Sequence, residues 1–323
     1  MKKRQIWIVI LTAILLILSI IAIYVYRNQD SLGKSSAKGQ TEADSSYGKV
    51  EYQGKTYKYN SDLELVLFMG IDRKHEVELT EEAGDGGQSD SLILLVLDKS
   101  KKTTTLIAIS RESMVDVRVY DREGEYVNDY QAQIALQYSY GDSGKKSCQI
   151  TKDLVSEVIH DIPIRSYLSL DIAGIPAIVD AIGGVPITMA ADYTELDPSY
   201  TKGAKLTLDG EQAMRFVQYR DAAVSGSNMG RMERQAEFIR ALFATLGDGK
   251  GKSLVGTLLD VADPYLITDM SVDSIEKLAD YDMKDDILQV PGTVEAGEHD
   301  EFYIDEEGLQ QLLLDNLYEV KNK

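Results

Sequence analysis

The stretch RFVQYRDAAVSGSNMGRMERQ, residues 215–235, carries Arg215, Arg220, Arg231 and Arg234 in a chain whose formal charge is −19. Guanidinium forks match the paired oxygens of carboxylates and phosphates, so a cluster of them names an anion as its candidate ligand. Taken singly, each reads more readily as a solvated helix residue paired with one of the 53 acidic side chains, because surface ion pairs are common and weak. Three further charged residues stand at the ends of apolar runs: Asp72 after LELVLFMGI, Asp90 before SLILLVLD, and Arg111 after TTTLIAIS. Ends of neighbouring strands are where open α/β sheets bind ligands. Two carboxylates there suit a hard divalent cation, Mg²⁺ or in its place Mn²⁺, which takes its remaining oxygens from phosphate and water. Asp72, Asp90, Arg111 and the arginine stretch together describe a pyrophosphate-like site.

Other chemistries find little support. His75, His160 and His299 have no metal-ligand spacing, and no HExxH is present, which argues against a zinc hydrolase. GDSGKKS at 141–147 resembles a phosphate loop only superficially, since its glycines are too close together and no strand precedes it. Cys148 is the only cysteine, so no intramolecular disulfide can form and the fold must hold by packing. The acidic balance argues against a nucleic-acid partner, because phosphate backbones are bound by basic surfaces.

The elements that must position the charged residues follow from hydrophobic patterning. The runs at 63–71, 91–98 and 103–110 read as buried strands by their length and branched, nearly continuous apolar character, with DKSKKT as a polar hairpin between the last two. Helical patterns follow at 129–140 and 148–160, then a strand at RSYLSL, 165–170, and a helix over 172–182 that stops at Gly183 and Gly184. VPITM reads as a short strand. LDGEQAMRFVQYR and GRMERQAEFIRALFATLG read as two helices around the arginine-bearing loop. Helices near 253–261, 271–281 and 306–319 and short strands at ILQV and FYI complete the chain. Strands interleaved with helices predict an α/β or α+β layered domain.

The N-terminus predicts a compartment. MKKRQ precedes an unbroken apolar run from Ile6 to Tyr26. At about 1.5 Å per residue it reaches roughly 31 Å, close to a bilayer's hydrocarbon thickness. The run ends in bulky Tyr24, Val25 and Tyr26 rather than small residues, so it reads as an uncleaved anchor rather than a signal peptide. Lys2, Lys3 and Arg4 are expected to stay cytoplasmic and the remainder to lie outside the cell. The expected organisation is a cytoplasmic flank and transmembrane helix over 1–27, a flexible Ser/Gly-rich linker over 28–49 and an extracellular domain over 50–323.

In this order the segments resemble the LytR-CpsA-Psr family of bacterial envelope proteins, most strongly over 63–246. VLFMGIDRK is similar to the family's Gly-x-Asp-x-Arg strand end, QSDSLILLVLD to its Arg-Ser-Asp-Thr segment and LIAISRES to its Ser-Ile-Pro-Arg-Asp-Thr segment. DIAGIPAIVDAIGGVPI resembles its Val-Asp-Ala-x-Gly-Gly-Val signature, and LDGEQAMRFVQYR and GRMERQ resemble its Leu-Asp-Gly-x-x-Ala and Gly-Arg-x-x-Arg-Gln segments. The resemblance implies an α/β/α sandwich with a central mixed sheet. It implies a transferase that moves a glycopolymer, such as teichoic acid or capsular polysaccharide, from a polyprenyl pyrophosphate carrier to peptidoglycan. By position, it implies Asp72 and Asp90 as Mg²⁺ ligands and Arg111, Arg220 and Arg231 as pyrophosphate contacts, with Arg234 and Gln235 alongside.

The chain departs from that pattern at several positions. Gln88 replaces an arginine, Ser110 a proline, Glu112 an aspartate, Gln218 an arginine and Asn228 an acidic residue, and the family's Lys-Ile-Asn becomes Gln133, Ile134, Ala135. These changes thin the cationic shell and keep the principal ligands. They leave open a second function, a catalytically weakened module that binds or scaffolds lipid-linked polymer. A membrane-bound transcription attenuator is disfavoured, since the anchor places the domain outside. The general base is open as well, with either aspartate available. The helices around 172–182 and 230–246 offer an apolar groove for the lipid, although core packing is the more usual explanation of the same apolar residues.

Overall fold

The computed structural model describes residues 47–73, 75, 77–79, 86–121, 123–221, 224–247, 255–297 and 299–321. The expected anchor at 6–26 and nearly all of the linker lie outside the described residues. Among the described residues no helix is long and apolar enough to cross a membrane.

The first described strands are β1 (Lys49–Tyr52) and β2 (Lys55–Tyr59). The buried strands follow as β3 (Leu63–Ile71), β4 (Ser89–Asp98) and β5 (Thr103–Ile109). Then come β6 (Met114–Tyr120), β7 (Tyr126–Gln133), a 3₁₀ turn at Ile134–Tyr140, α1 (Lys145–Val158), β8 (Ser166–Asp171), α2 (Ile175–Ala181) and β9 (Val185–Thr188). The arginine-bearing region comprises β10 (Lys205–Leu208), α3 (Gly210–Gln218) and α4 (Ser227–Gly247). The last stretch holds α5 (Val255–Ala262), β11 (Leu266–Thr268), α6 (Val272–Leu278), β12 (Asp282–Gln289), β13 (Gly292–Glu295), β14 (Glu301–Ile304), α7 (Glu306–Leu317) and β15 (Tyr318–Val320).

Six strands form the central sheet in the order β11-β8-β3-β4-β5-β12. It is mixed: β3 runs parallel to β8 and β12 parallel to β5, while β3–β4, β4–β5 and β8–β11 are antiparallel. Alternation along each strand divides the core into two. Val66, Phe68, Ile93, Leu95 and Leu168 face one layer, packed against α2, α3, α4 and α5. Leu65, Leu67, Met69, Leu92 and Leu94 face the other, against α1, the 3₁₀ turn and α7. The result is three layers with helices on both faces, which buries both sides of β3, β4 and β5 and accounts for their unbroken apolar sequences.

The expected helix over 129–140 is corrected. Residues 126–133 form β7, paired antiparallel with β6, and only 134–140 turn helically, as 3₁₀. Tyr and Val favour a strand here. Gln137 fastens the turn beneath the ribbon, its Oε1 accepting from the Arg118 N–H at 2.9 Å and its Nε2 donating to the Arg118 carbonyl at 3.0 Å.

The Val-Asp-Ala-x-Gly-Gly-Val and Leu-Asp-Gly segments form one packing unit. Asp180 Oδ1 accepts the Gly210 N–H at 2.8 Å, and Asp209 caps α3 in a reciprocal box with Gln212. Gly184 has φ +99° and faces the Thr207 side chain, so it suits both conformation and space. A Cβ on Gly210 would lie 2.4 Å from the Pro176 carbonyl oxygen, backbone that cannot swing aside.

Two stability predictions follow from this packing. Gly210→Ala should lower unfolding free energy by about 1–3 kcal/mol or more in urea titration, the scale of overpacking. Gly256→Ala, in α5 with open space around it, should be neutral or stabilising. Equal behaviour of the two would refute the close α2–α3 contact. Burial pushes the Glu237 carboxyl in α4 up to about 7, against the opposing pull of Arg240. A raised carboxyl binds its proton more tightly when folded, so its contribution is greatest at low pH and is lost as pH rises from about 4.5 to about 7. Glu237→Gln should therefore gain stability relative to the native chain over that interval; a constant difference across it would contradict the assignment.

Candidate functional site

Asp72, Asp90 and Arg111 meet because β3, β4 and β5 are adjacent and all three residues stand at one edge of the sheet. The register sharpens this. Gly70 pairs with Ser91 but Ile71 pairs with Ser89, leaving Asp90 as the extra residue of a β-bulge. A bulge re-aims a side chain out of the ladder, and bulges gather beside functional sites. Gly70 allows the close approach, since a Cβ there would sit 3.0 Å from Ser91 Cβ.

Asp90 is held between two guanidinium groups from different elements. Arg111 Nη1 donates to its Oδ1, and Arg231 Nη1 to its Oδ2 at 3.1 Å. Arg111 Nη2 also donates to Gln88 Oε1 at 3.0 Å, and Arg231 Nη2 to Asn228 Oδ1 at 2.8 Å. Arg231 is 7 % exposed; burial lowers its pKa, opposed by Asp90 and reinforced by Arg111 and Arg220. Arg220 stands beside this pair, with Nη1 3.0 Å from Glu112 Oε1, Nη2 3.5 Å from Asp300 Oδ2 and Nε donating to Ser227 Oγ at 3.2 Å. Burial raises the Glu112 carboxyl, with Arg220 pulling it the other way. Around the cluster, Arg111 Nε, Arg231 Nε and Asn228 Nδ2 are buried donors with no acceptor among the described residues. Such groups are costly unless a ligand or water satisfies them.

Asp72 is exposed, and its Oδ1 accepts the Gln88 N–H at 2.9 Å. Asp72 and Asp90 line one cavity together with Arg231, Gln218 and Gln235. Among the described residues no group of three or more His, Cys, Asp or Glu side chains is arranged to hold a metal ion. A cation here would rest on two carboxylates and draw its other oxygens from ligand and water, a donor set that fits Mg²⁺ or Mn²⁺.

The remaining arginines of the stretch are elsewhere. Arg234 donates through Nε to the Phe216 carbonyl at 2.9 Å and through Nη2 to the Tyr219 carbonyl, and stacks between the Tyr193 and Tyr219 rings. It satisfies the open carbonyls of the last turn of α3 and fixes α3 to α4. Gln235 donates to the Val217 carbonyl at 3.2 Å while lining the cavity. Arg215 pairs with Glu211, and Arg240 with exposed Asp285.

Past its charged mouth the cavity is apolar, walled by Phe68, Leu170, Ile172, Ile175, Phe238 and Ile239. A second, wholly apolar cavity shares Phe68, Leu170 and Ile239 with it and continues between the sheet, α4 and α5 past Leu242, Leu246 and Leu258. The expected groove between the 172–182 and 230–246 helices thus has a counterpart in the fold.

Sequence reading missed Asp300 and the pair Arg73–Asp171. Asp300 comes from the segment before β14, where it accepts from the Gly226 N–H and Ser225 Oγ, both at 2.8 Å, and so closes the loop that carries Arg220. Buried Arg73 donates twice to Asp171 Oδ1, at 3.1 and 2.9 Å, and to the Ser143 carbonyl and Tyr138 hydroxyl, which locks the residue after Asp72 to the end of β8. The adjacency of Arg73 to Asp72 and the place of Asp171 at the head of DIAGIPAIVDAIGGVPI were the signals available; Asp300 stands in no motif.

Comparison with known proteins agrees with this architecture. The polyisoprenyl-teichoic acid–peptidoglycan teichoic acid transferase TagU of Enterococcus faecalis is 27% identical over 262 residues, covering 79% of this chain and 80% of its own. The crystal structure of B. subtilis TagV superposes with TM-score 0.59 at 21% identity, covering 78% of this chain and 95% of that one. TagT bound to LI-WTA does so with TM-score 0.59 at 20% identity, covering 87% and 99%. The LytR_cpsA_psr family model matches residues 23–316, and the chain belongs to that family.

Proposed function

We propose that this protein transfers a glycopolymer, teichoic acid or a related polysaccharide, from a polyprenyl pyrophosphate carrier to peptidoglycan. One observation carries the reading: Arg231, whose buried Nε has no acceptor among the described residues, lines a cavity with Asp90, which also holds Arg111, and that cavity adjoins a wholly apolar one through Phe68, Leu170 and Ile239. A charged head on a long hydrocarbon tail is the ligand that uses both. The transferase names of the relatives point the same way.

Arg111, Arg220 and Arg231 bind the pyrophosphate, exchanging carboxylate partners for phosphate oxygens and neutralising the charge that grows on the leaving phosphate. An acceptor hydroxyl attacks the phosphorus that bears the polymer. The new P–O bond forms as the phosphoanhydride bond breaks; the hydroxyl proton passes to a carboxylate of the site and polyprenyl phosphate leaves. Asp72 and Asp90 would hold Mg²⁺ or Mn²⁺, which when bound would supply further charge neutralisation to the phosphates. Phe68, Ile175 and Phe238 exclude water from the tail side.

The chain works at the outer face of the cell membrane, anchored by Ile6–Tyr26 with its N-terminus cytoplasmic. Protease added to intact protoplasts should release the domain; a protected domain would refute this topology. The second reading, a binding module with weakened turnover, is favoured by Arg220 lying between Glu112 and Asp300 and by Gln88 in place of an arginine. Assay of the purified chain with a polyprenyl pyrophosphate-linked donor and Mg²⁺ separates the two, since only an enzyme releases polyprenyl phosphate.

The anion site itself is tested by titration with a soluble polyprenyl pyrophosphate analogue. Arg111→Ala, Arg220→Ala and Arg231→Ala should each lose roughly 1.5–3 kcal/mol of binding, the scale of a charged hydrogen bond, and Arg111→Lys should not fully restore it. Arg215→Ala and Arg240→Ala should lose little in about 0.15 M salt. Asp72→Ala and Asp90→Ala should remove the gain in affinity that Mg²⁺ gives the native chain. Equal, small losses at all five arginines would mean that the anion binds elsewhere.

A further inference from the structure

The β6–β7 ribbon is covered on one face only. Val117 and Ala132 are buried in the core, and the β6 edge is closed by Gln137. Along the outer edge, six consecutive residues of β7, Tyr126 to Gln131, are exposed, and among the described residues no strand pairs with it beyond β6. Tyr126, Val127 and Tyr130 are three of the eight exposed large hydrophobic residues among those described. Exposed edges are usually blunted by charge, yet in this run Asp129 is the only charged residue.

We infer that this edge, Tyr126–Gln133, seats the acceptor glycan, an uncharged chain of N-acetylated sugars; the inference rests on the proposed transfer to peptidoglycan. Sugar rings present apolar C–H faces and peripheral hydroxyl and amide groups. Tyrosine rings meet the first, and Asn128, Gln131 and Gln133 meet the second. The rings are already fixed edge to face: Tyr126 against Tyr120 at 6.3 Å, and Tyr130 against Tyr140 at 6.4 Å with their hydroxyls 3.1 Å apart. Held this way they lose little freedom on binding.

Charge selects among occupants. Asp116, Asp121, Glu125 and Asp129 border the strip and are exposed, and they outnumber the two cations beside it, Arg118, which is paired with Glu157, and Lys146, which sits over the Tyr120 ring. They repel the polyanionic donor polymer and anionic lipid headgroups, and leave an uncharged chain unopposed. The strip also leads to the right place. At its end Gln133 Nε2 donates to the Asp300 carbonyl at 2.8 Å, and the Ala135 N–H to the Arg111 carbonyl at 3.2 Å. Asp300 in turn holds the loop of Arg220. A glycan lying along β7 brings a hydroxyl to the arginine cluster.

The test titrates the full-length chain in detergent with an oligomer of β-1,4-linked N-acetylglucosamine. Saturable binding is expected, weakened about tenfold by Tyr126→Ala or Tyr130→Ala and no more than about twofold by Tyr130→Phe, which keeps the ring. Both alanine variants should retain the native melting temperature and native affinity for inorganic pyrophosphate. Absence of oligosaccharide binding, or binding indifferent to the tyrosines, would overturn the inference. So would tyrosine-dependent binding of poly(glycerol phosphate) or phosphatidylglycerol vesicles in its place. If the Arg111→Ala pyrophosphate test fails while tyrosine-dependent oligosaccharide binding persists, the transfer reading falls and the glycan seat stands.

Discussion

A carboxylate at a β-bulge, gripped from two sides, is the constraint on which this site depends. Asp90 leaves the β4 ladder at the register shift and meets Arg111 from the end of β5 and Arg231 from α4. Buried charges persist only when paired, and removal of one partner strands the others. The grip therefore joins the sheet edge to α4, and α4 in turn sets α3 through Arg234. Without a bulge the aspartate side chain would remain in the alternation of the strand. Both guanidinium groups would then lack the partner that keeps them together.

The two faces of the sheet divide the work. On the α1 and α7 face, Tyr138, Ile134, Leu154 and Leu313 fill the core, and Arg73 with Asp171 ties it at the functional edge. Cys148 belongs to this packing; burial pushes its thiol up to about 12, which leaves it an inert apolar group. On the α2–α5 face the same alternation of β3 and β8 supplies Phe68, Leu168 and Leu170, but the helices do not close on them completely, and two adjoining cavities remain. Apolar voids cost dispersion contacts, so their survival beside a charged mouth is more readily understood as room for a ligand than as careless packing.

The central strands were legible because burial on both faces makes them continuously apolar over 63–71 and 103–109. The α2–α3 unit was legible because glycine and aspartate there obey backbone geometry, and local geometry leaves a local trace. β7 was not, because an exposed edge strand has no buried stripe to impose a period of two, and Tyr126, Tyr130 and Ile134 fall at a spacing that imitates a helix. Asp72, Asp90 and Arg111 could be gathered from strand ends alone. Asp300 and Asp171 could not, since they reach Gly226 and Arg73 across 74 and 98 residues of sequence. The bulge at Asp90 is a matter of pairing, invisible until β3 and β4 are aligned.

The departures from the family pattern acquire a common electrostatic sense in three dimensions. Gln88 accepts from Arg111 where a second cation would repel it, and Glu112 and Asp300 together neutralise Arg220. Arg111, Arg220 and Arg231 are thus opposed by Asp90, Glu112 and Asp300, with Asp72 adding a further negative charge at the mouth. An entering pyrophosphate meets no net positive charge from these side chains, within a chain of formal charge −19. Two routes restore attraction: protonation of Glu112, which burial already favours, or a divalent cation on Asp72 and Asp90. On the proposed reading the cation is the more effective at neutral pH, since it would add two charges beside the arginines, and a site with fewer arginines would lean on it more.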